Sequence, residues 1–199
     1  MDRVTQDLSA VAWPVRTDRL TLRPATLDDV AALWRIRRIP SVHEWLGHDF
    51  SDEARFAEMM ADPDRLTTTL VIELDGAVVG DLYLRVTDAW AQSDVAEQAR
   101  NTVAEIGWVL DPAHEGRGLA TEAARELLRI SFEDLGVRRV KALCFADNEP
   151  SWRLMERLGM RREEHARADS LHRTKGWLDG FTYALLVSEW SPGPSSAGA

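Results

Sequence analysis

A single mixed α/β domain is what the sequence predicts, and three observations carry the prediction. Segments of period two and segments of helical period interleave along the chain. A hairpin signature, Asp75-Gly76 between two β-branched runs, falls early, and a second strand pair falls at the end. One long stretch, 118–135, carries an apolar stripe wide enough to face a core. Interleaving with hairpins at both ends favours a mixed sheet over an all-parallel one.

The elements follow in order. Arg19 to Arg23 (RLTLR) alternates polar and apolar and stops at Pro24, a short half-buried strand. Thr26 stands as N-cap, with Asp28 and Asp29 in the first turn, of a helix that carries Val30, Leu33, Trp34 and Arg37 up to Pro40. A second helix starts at Ser51 and stops near Pro63; between the two lies PSVHEWLGHDF, rich in aromatics and histidines. Thr67 to Glu73 and Val78 to Val86 are the strands of the Asp75-Gly76 hairpin. A polar insert over 88–100, flap or longer loop, precedes the strand Thr102 to Leu110, which ends at Asp111-Pro112. Gly118 to Leu135 is a helix with Leu119, Ala123 and Leu127 beside Ala120, Ala124, Leu128 and Phe132, stopped by Gly136. Val137 to Phe145 is a strand, Ser151 to Leu158 a short helix, and Arg161 to Trp190 two more strands with turns at Lys175-Gly176-Trp177 and Asp179-Gly180.

Length and composition bound the function. The 199 residues suit one domain, assigned to 1–190, with SPGPSSAGA over 191–199 as a disordered tail. Lys and Arg number 24 against 33 Asp and Glu, a formal charge of −9, which argues against gripping nucleic acid through its phosphates. The only cysteine, Cys144, excludes an internal disulfide and any multi-cysteine metal site; in its β-rich run it reads as a core residue. His43 and His48 have no third ligand beside them, so no metal is expected. Neither a signal peptide nor an apolar run of membrane-spanning length is present, which makes the cytoplasm the default and excludes a membrane partner.

Chemistry concentrates in HEGRGLAT, His114 to Thr121, between a strand and a long helix. Gly116 and Gly118 let the backbone turn so that successive N–H groups converge on one anion, at a helix N-terminus whose first amides have no intrahelical partner. Arg117 adds a charge. An ordinary glycine-rich turn would carry the same pattern, and two nucleotide-binding motifs have stricter requirements. A Walker loop needs four residues between its glycines followed by lysine, which does not occur. A dinucleotide fingerprint needs a third glycine where Thr121 stands, and the next strand's first acid, Asp147, is too far along. What remains is a pyrophosphate cradle of another kind.

Taken together, TDRLTLRPATLDDV, AEIGWVLDPAHEGRGLATEAARELL and NEPSWRLMERLGM, with Trp177, Asp179, Tyr183 and Trp190 beyond, resemble the GNAT superfamily of N-acetyltransferases, and within it the ribosomal-protein N-terminal acetyltransferase branch. The resemblance covers nearly the whole folded part. It implies a mixed, mostly antiparallel sheet with one splayed parallel pair and flanking helices, and acetyl-CoA as cosubstrate without a metal. The family's glycine loop, [QR]-x-x-G-x-[GA], falls on Ala113 to Gly118 with both glycine positions matched and Ala113 departing from the first. By resemblance, Gly116, Arg117, Gly118, Leu119, Ala120 and Thr121 hold the pyrophosphate. Trp108, Val109 and Leu110 belong to the strand whose backbone pairs with pantetheine, with Gly107 fitting a bulge there, and Asn148 lies beside the cofactor.

Acetylating an amine requires a proton acceptor, because a lysine-type ammonium has a pKa of about 10.4. Glu105, on the strand before the loop, is the candidate base, directly or through water; a solvent-side acid is its ordinary alternative. Many relatives carry a tyrosine acid where Met155 stands here, whereas the N-terminal acetyltransferase branch uses a serine at the position of Ser151. Pro150, Asn148 and Ser151 also suit a plain helix start. Trp45, with His43 and Glu44, lies in a loop that by resemblance walls the acceptor site. The expected partner is a primary amine, on a protein N-terminus or a small molecule, for a monomer or homodimer. A non-catalytic acyl-CoA-binding or sensing module on the same scaffold is the alternative; a nucleotide-dependent oxidoreductase is weakened by the failed fingerprint.

Overall fold

The computed structural model describes residues 8–191. Eight strands form one sheet: β1 (Val15–Arg16), β2 (Leu20–Pro24), β3 (Thr69–Leu74), β4 (Ala77–Thr87), β5 (Val103–Leu110), β6 (Arg139–Phe145), β7 (Arg161–His172) and β8 (Gly176–Leu186). Their order is β1-β2-β3-β4-β5-β6-β8-β7, and among the described residues every neighbouring pair is antiparallel except β5 with β6. This is the mixed, mostly antiparallel architecture expected. The tail assigned to 191–199 lies, from 192 onward, outside the described residues.

Alternation along the central strands builds two cores. Leu70 and Ile72 of β3 join Leu82, Leu84 and Ile106 under α5 (Leu119–Arg129) and α6 (Glu149–Arg157). Val71, between them, points to the opposite face, where it packs with Leu33, Phe50, Phe56 and Met60. That second layer comprises α1 (Val30–Arg37), α2 (Pro40–His43), α3 (Glu53–Met60) and α4 (Pro63–Thr67). Thr26 caps as read, through a 3-10 turn, Leu27–Asp29: the Thr26 N–H donates to Asp29 Oδ2 at 2.8 Å, and Arg23 pairs with the same carboxylate at 2.8 Å.

Three local expectations are corrected. The 118–135 helix is α only to Arg129 and widens into a π turn over Ile130–Asp134, where the Ser131 hydroxyl donates to the Leu127 carbonyl at 2.7 Å. The short helix begins at Glu149, ahead of Ser151, with Pro150 in its first turn. Asp179-Gly180 is not a turn: β8 runs straight through it, and the irregularity lies in β7, where Asp179 accepts from the Ala168 N–H at 2.9 Å across a register shift between Ala166 and Ser170.

Candidate active site

β5 keeps β4 as its partner from Val103 opposite Thr87 to Leu110 opposite Gly80. It keeps β6 only over Val103–Glu105 against Arg139–Lys141, while β6 stays on β8 throughout. The two parallel strands therefore part beyond Glu105, leaving the inner edges of 106–110 and 142–145 without a ladder partner. Gly107 sits opposite Tyr83 with no register shift, so the bulge expected there is absent. Gly80 contributes instead: a Cβ at that position would run into the Val109 carbonyl, so glycine admits the close approach that keeps β5 on β4 as it leaves β6.

A cleft of about 1270 Å³ fills the gap. That exceeds the roughly 300–1,000 Å³ of an ordinary small-ligand pocket and suits a long cosubstrate with its acceptor. Ile106, Gly107, Trp108, Val109 and Leu110 form one wall. At its end, Gly116 and Gly118 take left-handed backbone, φ 71° and 77°, and open α5. Gly116, Gly118, Leu119, Ala120 and Thr121 all line the cleft, and the first amides of a helix have no intrahelical acceptor. An anion placed there meets N–H donors and the positive end of α5.

Two predicted residues lie outside that wall. The Arg117 guanidinium is exposed against His114, Nη1 to Nδ1 3.3 Å, and its side chain is not part of the cleft lining. Glu105 sits at the closed end of the V, its carboxylate 3.0 Å from Lys141 Nζ on the facing strand. The opposite wall starts at α6. Asn148 precedes the helix without capping it by its side chain, and both Asn148 and Ser151 line the cleft. Cys144, read as core, is half-buried in this wall; burial pushes its thiol up to about 11, opposed by a hydrogen bond with Ser151. The thiol is therefore protonated at neutral pH and no nucleophile.

Trp45 closes the far side. Lys175 lies 4.4 Å from its ring centroid and 2.7 Å from Glu44 Oε1. His172, buried, joins the β7–β8 hairpin to this loop: its Nδ1 accepts from the Lys175 N–H at 3.2 Å, so Nε2 carries the proton donated to the Glu44 carbonyl at 2.9 Å. The sequence did not single out Arg37 and Asp81, a half-buried arginine and a buried aspartate in the cleft lining with Arg37 Nε 3.0 Å from Asp81 Oδ2. The available signal was an acid inside the apolar run VVGDLYL. Among the described residues, no cluster of three or more His, Cys, Asp or Glu could hold a metal, and no helix is long and apolar enough to cross a membrane.

A sheet that splays at its parallel pair, with a glycine loop opening a helix at the mouth, offers a strand edge to an extended ligand and helix amides to its anionic end. The model of the acetyltransferase (GNAT) domain matches residues 19–161, and the chain belongs to that family. It is an acetyl-CoA-dependent acetyltransferase. It is 27% identical to the uncharacterized N-acetyltransferase p20 of Bacillus licheniformis, over 88% of this chain and 97% of that one. It spans about half the length of two other relatives: 38% identity to the uncharacterized N-acetyltransferase YnaD of Bacillus subtilis covers 44% of this chain and 51% of that protein, and 30% identity to the ribosomal protein uS5 alanine N-acetyltransferase of Escherichia coli covers 44% and 45%. Among solved structures, Mycobacterium smegmatis RimJ in complex with CoA-disulfide superposes with a TM-score of 0.68 at 26% identity, covering 85% of this chain and 83% of RimJ.

Proposed function

We propose that this enzyme acetylates a primary amine by direct attack, with a protein N-terminus as acceptor and the cytoplasm as its place of action. The observation that carries the reading is the V between β5 and β6, whose unpaired strand edge leads to a glycine loop with free helix amides. Pantetheine fits the first as an added strand and pyrophosphate the second. Bound there, acetyl-CoA supplies an activated acyl group. Trp108, Val109 and Leu110 orient the arm through their backbone, a strand N–H polarises the thioester carbonyl, and Asn148 flanks the arm. Glu105, at the apex and outside the cleft wall, takes the amine's proton by way of water rather than by direct contact. The amine's C–N bond forms as the C–S bond breaks, and the Ser151 hydroxyl, in the cleft wall in the first turn of α6, donates to the departing sulfur.

The uS5 enzyme's acceptor, a protein alanine, favours a peptide N-terminus over a free small amine. Thermal shift with acetyl-CoA, CoA, NAD and ATP, followed by thiol release over a panel of N-terminal peptides and small amines, tests the proposal. Stabilisation by the CoA compounds alone with turnover on peptides is expected. Stabilisation without thiol release on any amine would turn the reading to the non-catalytic acyl-CoA module, and response to NAD alone would overturn it.

A further inference from the structure

Arg19 enters β2 far from the glycine loop in sequence and reaches it in space. Its Nη1 donates to the Arg117 carbonyl at 2.8 Å, while Nε and Nη2 hold Glu122 Oε2 at 2.7 and 2.6 Å. The other carboxylate oxygen of Glu122 accepts from the Thr17 hydroxyl at 2.5 Å and the Arg19 N–H at 3.0 Å. Two consequences follow. Both oxygens of an acid in the first turn of α5, in the cleft wall, are fully engaged, so its charge is neutralised where an anion would bind. In a trans peptide the carbonyl and the following N–H point in opposite directions, so a tether on the Arg117 carbonyl also fixes the Gly118 N–H.

We propose that Arg19 is a positioning residue for the cosubstrate: anchored on Glu122, it holds the Arg117–Gly118 peptide so that the Gly118 N–H faces the pyrophosphate. The inference rests on the glycine loop being the pyrophosphate cradle. An isolated surface ion pair is worth little, but here two guanidinium N–H groups meet one carboxylate oxygen, two further donors hold the other, and the arginine is tied to the loop backbone.

The test is calorimetric titration of the full chain with two probes: CoA, and S-acetylpantetheine, which keeps the arm and lacks the pyrophosphate. Arg19→Gln should weaken CoA about tenfold, the scale of one hydrogen bond to a charged group, and leave S-acetylpantetheine within about twofold. Arg19→Lys should remain weakened toward CoA, because a point ammonium cannot span both Glu122 and the Arg117 carbonyl. Glu122→Gln should repeat the Arg19→Gln pattern, and carries the comparison alone if Arg19→Gln does not fold. Unchanged CoA affinity in Arg19→Gln, equal losses for both probes, or full rescue by lysine would each overturn the inference. A parent chain that binds neither probe overturns the cradle reading itself.

Discussion

Replacing Gly118 by valine separates the cradle from the fold. Gly118 has φ 77°, and the left-handed region costs an L-residue about 1–2 kcal/mol, more for a β-branched one. Its nearest non-neighbouring atom to an added Cβ is Arg19 Nη2 at 3.7 Å, so space is not the obstacle; backbone conformation is. The loop is exposed, so the chain can relieve the strain by leaving the left-handed region, which turns the 117–118 peptide and misdirects at least one amide from the anion. Loss of one hydrogen bond to a charged group is worth about 1.5–3 kcal/mol, or roughly 10- to 150-fold in acetyl-CoA affinity. Stability should fall by no more than this strain, about 1–2 kcal/mol for an ordinary side chain and somewhat more for valine. Titration with acetyl-CoA alongside chemical denaturation reads both quantities. Parental acetyl-CoA affinity in Gly118→Val would refute the assignment of the cradle, and a stability loss much larger than the affinity loss would make Gly118 a folding residue.

The remaining predictions concern proton transfer and pH. Glu105→Gln should lower turnover by roughly 10²–10⁴ with acetyl-CoA affinity retained, the deficit shrinking as pH rises toward the amine's own pKa; an unchanged rate at pH 7 removes Glu105 from the mechanism. Ser151→Ala should cost no more than the Glu105 change, since a thiol with pKa of about 8.5 leaves tolerably without help; steady-state rates check this, and circular dichroism checks the fold. Arg23, chiefly by hydrogen bonding, holds the Asp29 carboxyl below its ordinary value. The resulting stabilisation is complete above the unfolded carboxylate range, about pH 4, and disappears as pH falls through the lower folded value. Melting curves of the parent and Asp29→Asn should therefore differ at pH 7 and converge in strong acid; a constant gap would contradict the linkage.

By itself the sequence determined the elements whose cause is local. Thr26 with Asp29, the Asp75-Gly76 turn, the apolar stripe of α5 and the two glycines before it each act within a few residues, and each stands where the pattern placed it. Resemblance in HEGRGLAT and NEPSWRLMERLGM added the cleft's two walls, since loop and helix starts are short-range features too. Tertiary structure alone decided what depends on partners distant in the chain. The V arises because β5 follows β4 and β6 follows β8, with Gly80 admitting the Val109 carbonyl, and no bulge at Gly107 takes part. Glu105 lies at the apex beside Lys141 because strand pairing stops there, a register that alternation along one strand cannot encode. The Arg37–Asp81 pair and the Arg19–Glu122 tether join residues 44 and 103 positions apart, and charge complementarity across such distances is specified only when the sheet brings the strands and helices together.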